Sequence, residues 1–378
     1  MQPRRWLTLA AALVMFAAGP AMAQTVASLP VPAEPTPKVD DGVQLHGFVS
    51  TSLVYNVNRP PSGVNGFRVF DFSPNSFTLD VAELIAEKTV SSAGHAGFRV
   101  ALVSGSAIPK VSASAGLFRD LDTGKAQDID LQQAYASYMV SNHVRLDAGK
   151  FVTPLGLEVI EGWDSANDNA SRSFLFGFAI PFTHTGLRVT ASGSRVSGLV
   201  MVVNGWDNSI DNNTGKTVAG QLSFAPSGAV SLVVTGITGP EQPADNRDLR
   251  TVYDVVSTWK LNSRTSFSLN ADYGRESGAA PDGGTARWQS AAAYSRIGLS
   301  KAFTVSLRGE IFNDRQGART GVVQQLTGVT ITPEVRLSPR AVVRADLRFD
   351  RSSRHVFDAQ SGATTMQPTV QFNFYCVF

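Results

Sequence analysis

The chain is poor in the features that usually staple, anchor or arm an exported protein. Of its 378 residues only Cys376 is a cysteine, so no internal disulfide can form. Beyond residue 18 no apolar run is long enough to cross a bilayer as a helix. Neither sign of charge is in surplus: Lys and Arg number 33 against 31 Asp and Glu, and loss of a leader holding Arg4 and Arg5 makes the mature chain formally neutral. That balance argues against nucleic acid as a partner, which needs a basic surplus. Catalytic and metal-binding spacings are also missing. His46, His95, His143, His184 and His355 form no His-x-x-x-His or His-Glu-x-x-His pair, and there is no Gly-x-Ser-x-Gly elbow or phosphate loop. Neither an enzyme nor a cofactor or metal is expected.

What is present begins with a leader. Arg4 and Arg5, the apolar run 6–18, the Gly19-Pro20 break and the small residues 21–23 have the three zones of a secretory signal peptide, residues 1–23. Residues 24–42, with Pro30, Pro32, Pro35 and Pro37, read as a disordered leader. From Val43 the pattern has period two. Val43, Leu45, Val49, Leu53 and Tyr55 share one face, while Gln44, His46, Ser50, Ser52 and Asn56 take the other. The same alternation recurs to give about sixteen strands, an even number as bacterial barrels have.

The connections are more telling. They alternate between long (58–74, 104–129, 152–183, 207–215, 239–248, 276–285, 313–321, 351–366) and short along the whole chain. Sorting loops by end in this way is expected of an antiparallel barrel through an outer membrane, with tight turns on the periplasmic side. Aromatics on the apolar phase agree, with Phe224, Trp259 and Phe303 beside short turns and Tyr55, Tyr273, Trp288 and Phe349 beside long loops. Trp206 is off phase. The barrel is therefore expected over 43–378, with loop 152–183 folded inward.

That loop belongs to the stretch Lys150–His184, which resists reading as strand and turn. It carries Glu158, Glu161, Asp164 and Asp168 beside Arg172 and a run of phenylalanines. The inward phase of the strands is basic: Arg99, Arg145, Arg188, Arg308, Arg336, Arg344 and Arg348, with Lys150 at the loop's root. Acidic loop against basic wall would set a transverse field across a pore constriction. The same charges could equally brace the loop. The stretch Asp207–Asn213 could bind calcium but reads better as a solvated external loop.

The segments LDAGKFVTPLGLEVIE (146–161), SRSFLFGFAIPFTHTGLR (171–188), VNGWDN (203–208) and GPE (239–241) resemble the β-barrel porin family described as OmpL-like. The resemblance runs from about Gly47 to Phe378 and implies an outer-membrane barrel with pore function. The residues and the resemblance together suggest passive diffusion of small hydrophilic solutes. The partners expected are outer-membrane lipids, the solutes, the barrel assembly machinery reading a last strand that ends on Phe378, and a homotrimer. The alternatives are a non-conducting structural or adhesive barrel, or a barrel-embedded lipid hydrolase using His184 with a serine and an asparagine.

Overall fold

The computed structural model describes residues 42–378; the expected signal peptide and the leader up to Asp41 lie outside the described residues. Alternating apolar and polar residues cross the membrane region as sixteen antiparallel strands. They are β1 (Gln44–Asn56), β2 (Ser76–Lys88), β3 (Ala96–Ser104) and β4 (Ile129–Ser141). Then come β5 (Val144–Val152), β6 (Thr183–Ser192), β7 (Val196–Val203) and β8 (Thr217–Ser227). The second half holds β9 (Val230–Pro240), β10 (Leu249–Lys260), β11 (Thr265–Glu276) and β12 (Ala286–Gly298). β13 (Phe303–Asp314), β14 (Gln324–Ser338), β15 (Ala341–Ser352) and β16 (Met366–Val377) complete the set. Each pairs with its sequence neighbours, and β1 closes on β16, so no strand edge is left unpaired. No described helix is long and apolar enough to cross a membrane; the strands do the crossing.

Beside the β1–β16 ladder, Gly47 and Phe378 also meet. They exchange two backbone hydrogen bonds (2.8 and 3.0 Å), and the Phe378 ring lies over Gly47. A Cβ at position 47 would sit 2.2 Å from the tip of that ring, so any larger residue there would have to push the exposed Phe378 ring aside.

The outward phase is an aliphatic belt, with Leu84, Leu187, Val200, Leu222, Leu307, Leu347 and Phe372 all exposed. Lipid rather than water suits such a surface. The inward phase is buried almost throughout. The filling comes from three long loops: 57–75, 105–128 with its short helix α1 (Ile108–Val111), and 153–182 with a π-helical turn at Leu175–Ala179. Phe67, Val69 and Phe70 pack with Phe174, Phe176, Phe178 and Phe182, and the cluster continues into Met201, Ile237, Val252 and Phe312 of the wall. Each phenylalanine buried this way contributes roughly 1.5–3 kcal/mol.

One expected girdle residue belongs to this cluster instead. Trp288 is fully buried and faces the lumen, not lipid. Its indole covers Gly274 of β11, where a Cβ would fall 1.9 Å from the ring. Its Nε1 donates to the Ala179 carbonyl at 3.2 Å, and its ring meets that of off-phase Trp206 edge-on at 6.4 Å. A polar indole N–H and a bare glycine next door select the inward phase over the lipid one.

Candidate functional site

Loop 153–182 leaves β5 and returns to β6 at the end where the long loops gather. Its tip, Gly162–Ser165, is closed by reciprocal backbone hydrogen bonds. There Trp163 stacks on His46 with ring centroids 3.5 Å apart, and its backbone N–H donates to Glu83 at 2.9 Å. His46 is the third residue of β1, at the short-turn end. The loop therefore runs through the full depth of the barrel.

Buried charge pairs and amide–carboxylate bonds hold it against β13, β14 and β15. Arg308 meets Glu158 at 2.8 Å and also donates to the Ser171 carbonyl at 2.6 Å. Glu158 accepts in addition from the N–H and hydroxyl of Ser173. Arg344 grips Glu161 with both distances 2.8 Å, and Arg172 of the loop itself reaches the same carboxylate at 3.2 Å. Arg348 donates to the Arg172 carbonyl. Wall carboxylates cap loop amides: Asp346 accepts from Ala170 and Ser171, and Glu310 from Phe174. Nearer the tip, Arg99 pairs with Asp164 and Arg296 with Asp168, each at 2.9 Å. The pairs on β13 and β15 are desolvated, Arg308, Arg344 and Arg348 being each 1 % exposed, whereas Asp164 at the tip is about half exposed.

The opposite wall holds the loop more lightly. Gly156 and Leu157 donate to Asp254 and Asn270 at 3.1 and 3.0 Å, and Gln221 donates to the Pro154 carbonyl. At the C-terminal root, Asp207 accepts from the N–H groups of both Phe182 and Thr183 at 2.8 Å. Burial pushes its carboxyl up from 3.8 to about 6, against the pull of those two amides. Asp207 is thus an anchor, while Asp211 pairs with Lys216 in the same external loop. No described group of three His, Cys, Asp or Glu is placed to hold a metal.

Loop acids and wall arginines thus meet, though not uniformly. Arg308, Arg344 and Arg99 face Glu158, Glu161 and Asp164. Arg145 and Arg188 both pair with Asp147 of their own wall, and Lys150 with Asp130 at 2.7 Å, so these three do not face the loop acids. Arg348 is paired with Glu310 and Asp350, and Arg336 lines a small cleft beside Trp163. Arg296 and the capping carboxylates Glu310, Asp346 and Asp254 were missed by sequence reasoning. Their inward phase was readable from the strand pattern, but not their contacts with the loop.

His184 cannot serve a lipid hydrolase. It is buried inside the barrel with Nδ1 at 3.1 Å from the Gly205 carbonyl and Nε2 at 3.1 Å from the Thr153 hydroxyl. Neither ring nitrogen meets a serine, and the lipid-facing wall is on the other side of the strand.

A family model described as "Putative beta-barrel porin-2, OmpL-like" matches residues 42–378. No curated protein sequence matches the chain. Among solved structures, the barrel is similar to an anion-selective porin from Comamonas acidovorans (TM-score 0.59, 11% identity, covering 89% of this chain and 99% of that one). It is also similar to the outer membrane channel DcaP of Acinetobacter baumannii (TM-score 0.57, 10% identity, 89% and 97% covered). The trimer form of OmpT from Vibrio cholerae gives a TM-score of 0.58 at 10% identity, with 89% and 99% covered. At these identities the likeness is one of fold.

Proposed function

Because the chain belongs to the OmpL-like beta-barrel porin-2 family and is an outer-membrane porin, we propose that it is a restrictive passive channel for small hydrophilic solutes. Loop 153–182 would set its size limit. One observation carries this reading: the loop traverses the whole lumen and is tied to the wall by polar and ionic contacts. On this reading Glu158, Glu161, Asp164, Asp168 and Arg172 form the loop side of the constriction. Arg99, Arg308, Arg344 and Arg348 form the wall side opposite them. Lys150, Arg145, Arg188 and Arg336 shape the field from further off, the first three through pairs within the wall. Channel rather than enzyme is the reading that fits, since His184 is spent on structure.

The test is recording in planar bilayers. The purified barrel is expected to give discrete steps of low conductance; a folded protein with no steps would defeat the pore reading. It would instead favour a non-conducting structural barrel, which the complete burial of Arg308, Arg344 and Arg348 also supports. For partners we propose lipids against the aliphatic belt, assembly machinery reading the strand that ends at Phe378, and a homotrimer. Cross-linking of the detergent-extracted protein would test the last, with only monomers counting against it.

A further inference from the structure

Most charge inside the barrel is matched, but one carboxylate beside open space is not. β1 and β2 carry a bulge: Ser50 pairs with Val81 and Thr51 with Leu79, so Asp80 between them has no ladder partner. A bulge re-aims its side chain, and here the Asp80 carboxylate turns inward. One oxygen accepts from Ser52 and Thr78, both at 2.7 Å, and the other from Ser50 at 3.2 Å and Asn373 at 3.3 Å. All four donors are neutral, and among the described residues no lysine or arginine lies within ion-pair distance of Asp80.

Asp80 lines a cleft left between loop 153–182 and the β16–β1–β2 wall, with about 40 Å³ open to water-sized occupants. A second oxygen points to an occupant. Gln371, on β16, is 5 % exposed and lines the same cleft, yet its Oε1 is buried with no hydrogen-bond partner. The other carboxylates of the cleft are already neutralised, Asp71 by Arg68 and Glu161 by Arg344 and Arg172. Arg172 also lines the cleft, its charge met by Glu161; what remains on the lining is a carboxylate without a counter-charge and an unfilled carbonyl-type oxygen. Both costs are relieved by one cation. A single free carboxylate with neutral oxygens suits a monovalent charge better than a divalent one, which takes more anionic ligands. The volume admits an alkali ion or a small primary ammonium group, with little water.

We infer that the cleft at Asp80 and Gln371 is a binding site for a monovalent cation on the permeation path, and that it makes the porin cation-selective. The selectivity half rests on the pore reading; occupancy of the site does not. Two measurements keep them apart. In bilayers under a KCl gradient, the wild type should show a reversal potential of cation-selective sign. Asp80→Asn should lose that preference several-fold, while Asp358→Asn in an external loop should keep it. An anion-selective or unselective wild type, or an unchanged Asp80→Asn, would overturn the inference.

Separately, the unfolding midpoint in detergent should rise in KCl relative to choline chloride at equal ionic strength, by mass action on the folded state. Methylammonium chloride tests the ammonium source against the alkali one: a rise with either supports the site and names its source. Gln371→Leu leaves every hydrogen bond of Asp80 in place, so it serves if Asp80→Asn misfolds. It should abolish the rise. Equal midpoints in all three salts would refute the site, even in a barrel that conducts. A barrel that shows the rise but never conducts would refute the pore reading and leave the site standing.

Discussion

At the scale of the residue, the loop is held by side chains that are costly to leave alone. Arg308 sits between Glu158 of the loop and Glu310 of its own strand. Arg308→Met would leave the buried Glu158 without its cation and Glu310 with Arg348 alone, and removing one partner of such a pair costs about 3–5 kcal/mol. We expect a lower urea midpoint in detergent together with larger conductance steps, because Glu158 then loses its tie to the wall. An unaltered midpoint would show that the pair contributes nothing net. Asp207 gives a pH dependence. Its folded pKa of about 6 lies above the unfolded value near 3.8, so the folded state holds the extra proton between those values. Stability from this group is full below about pH 4 and lost as pH rises through 6, a change of at most about 3 kcal/mol. Asp207→Asn, which can still accept from Phe182 and Thr183, should flatten that part of the stability profile; a profile of the same slope would count against the anchor. The meeting of Glu158 and Glu161 with wall arginines was legible from phase alone. The acids that cap loop amides were not, because an inward aspartate among arginines looks like part of the same ladder until the loop backbone is placed.

At the scale of the element, the run Phe174, Phe176, Phe178, Phe182 marks loop 153–182 as buried, since a solvated loop has no use for four phenylalanines. The sequence pattern stops short of saying against what. The partner is loop 57–75, through Phe67 and Phe70, and no period or spacing links two loops so far apart in the chain. Phe176, 2 % exposed, touches both Phe70 and Phe182. Phe176→Ala should cost about 3–5 kcal/mol and make the conductance noisier as the two loops separate. A quiet channel of wild-type stability would mean that the cluster does not brace the loop. Strand positions were readable almost residue by residue because the membrane enforces period two on the outer face. Trp288 escaped that rule because its neighbour Gly274 opens a slot on the inner face that the indole fills. Trp206, off phase in the sequence, turns out to be the other half of the same contact.

At the scale of the whole molecule, a chain with one cysteine, nearly balanced charge and, among the described residues, no long apolar helix closes into sixteen strands. Its interior is then filled by its own loops. The alternation of long and short connections carries the barrel. How far loop 153–182 penetrates was not readable, since depth depends on where its tip finds a partner. That partner is His46 at the far end, under the Trp163 ring. On the function proposed, this loop occupies the lumen and governs what passes. The most direct measurement is the single-channel conductance of the wild type beside a variant in which residues 157–177 are replaced by a short Gly/Ser linker. The shortened loop is expected to raise conductance several-fold and to admit larger solutes; equal conductance in the two folded barrels would show that the loop does not control passage.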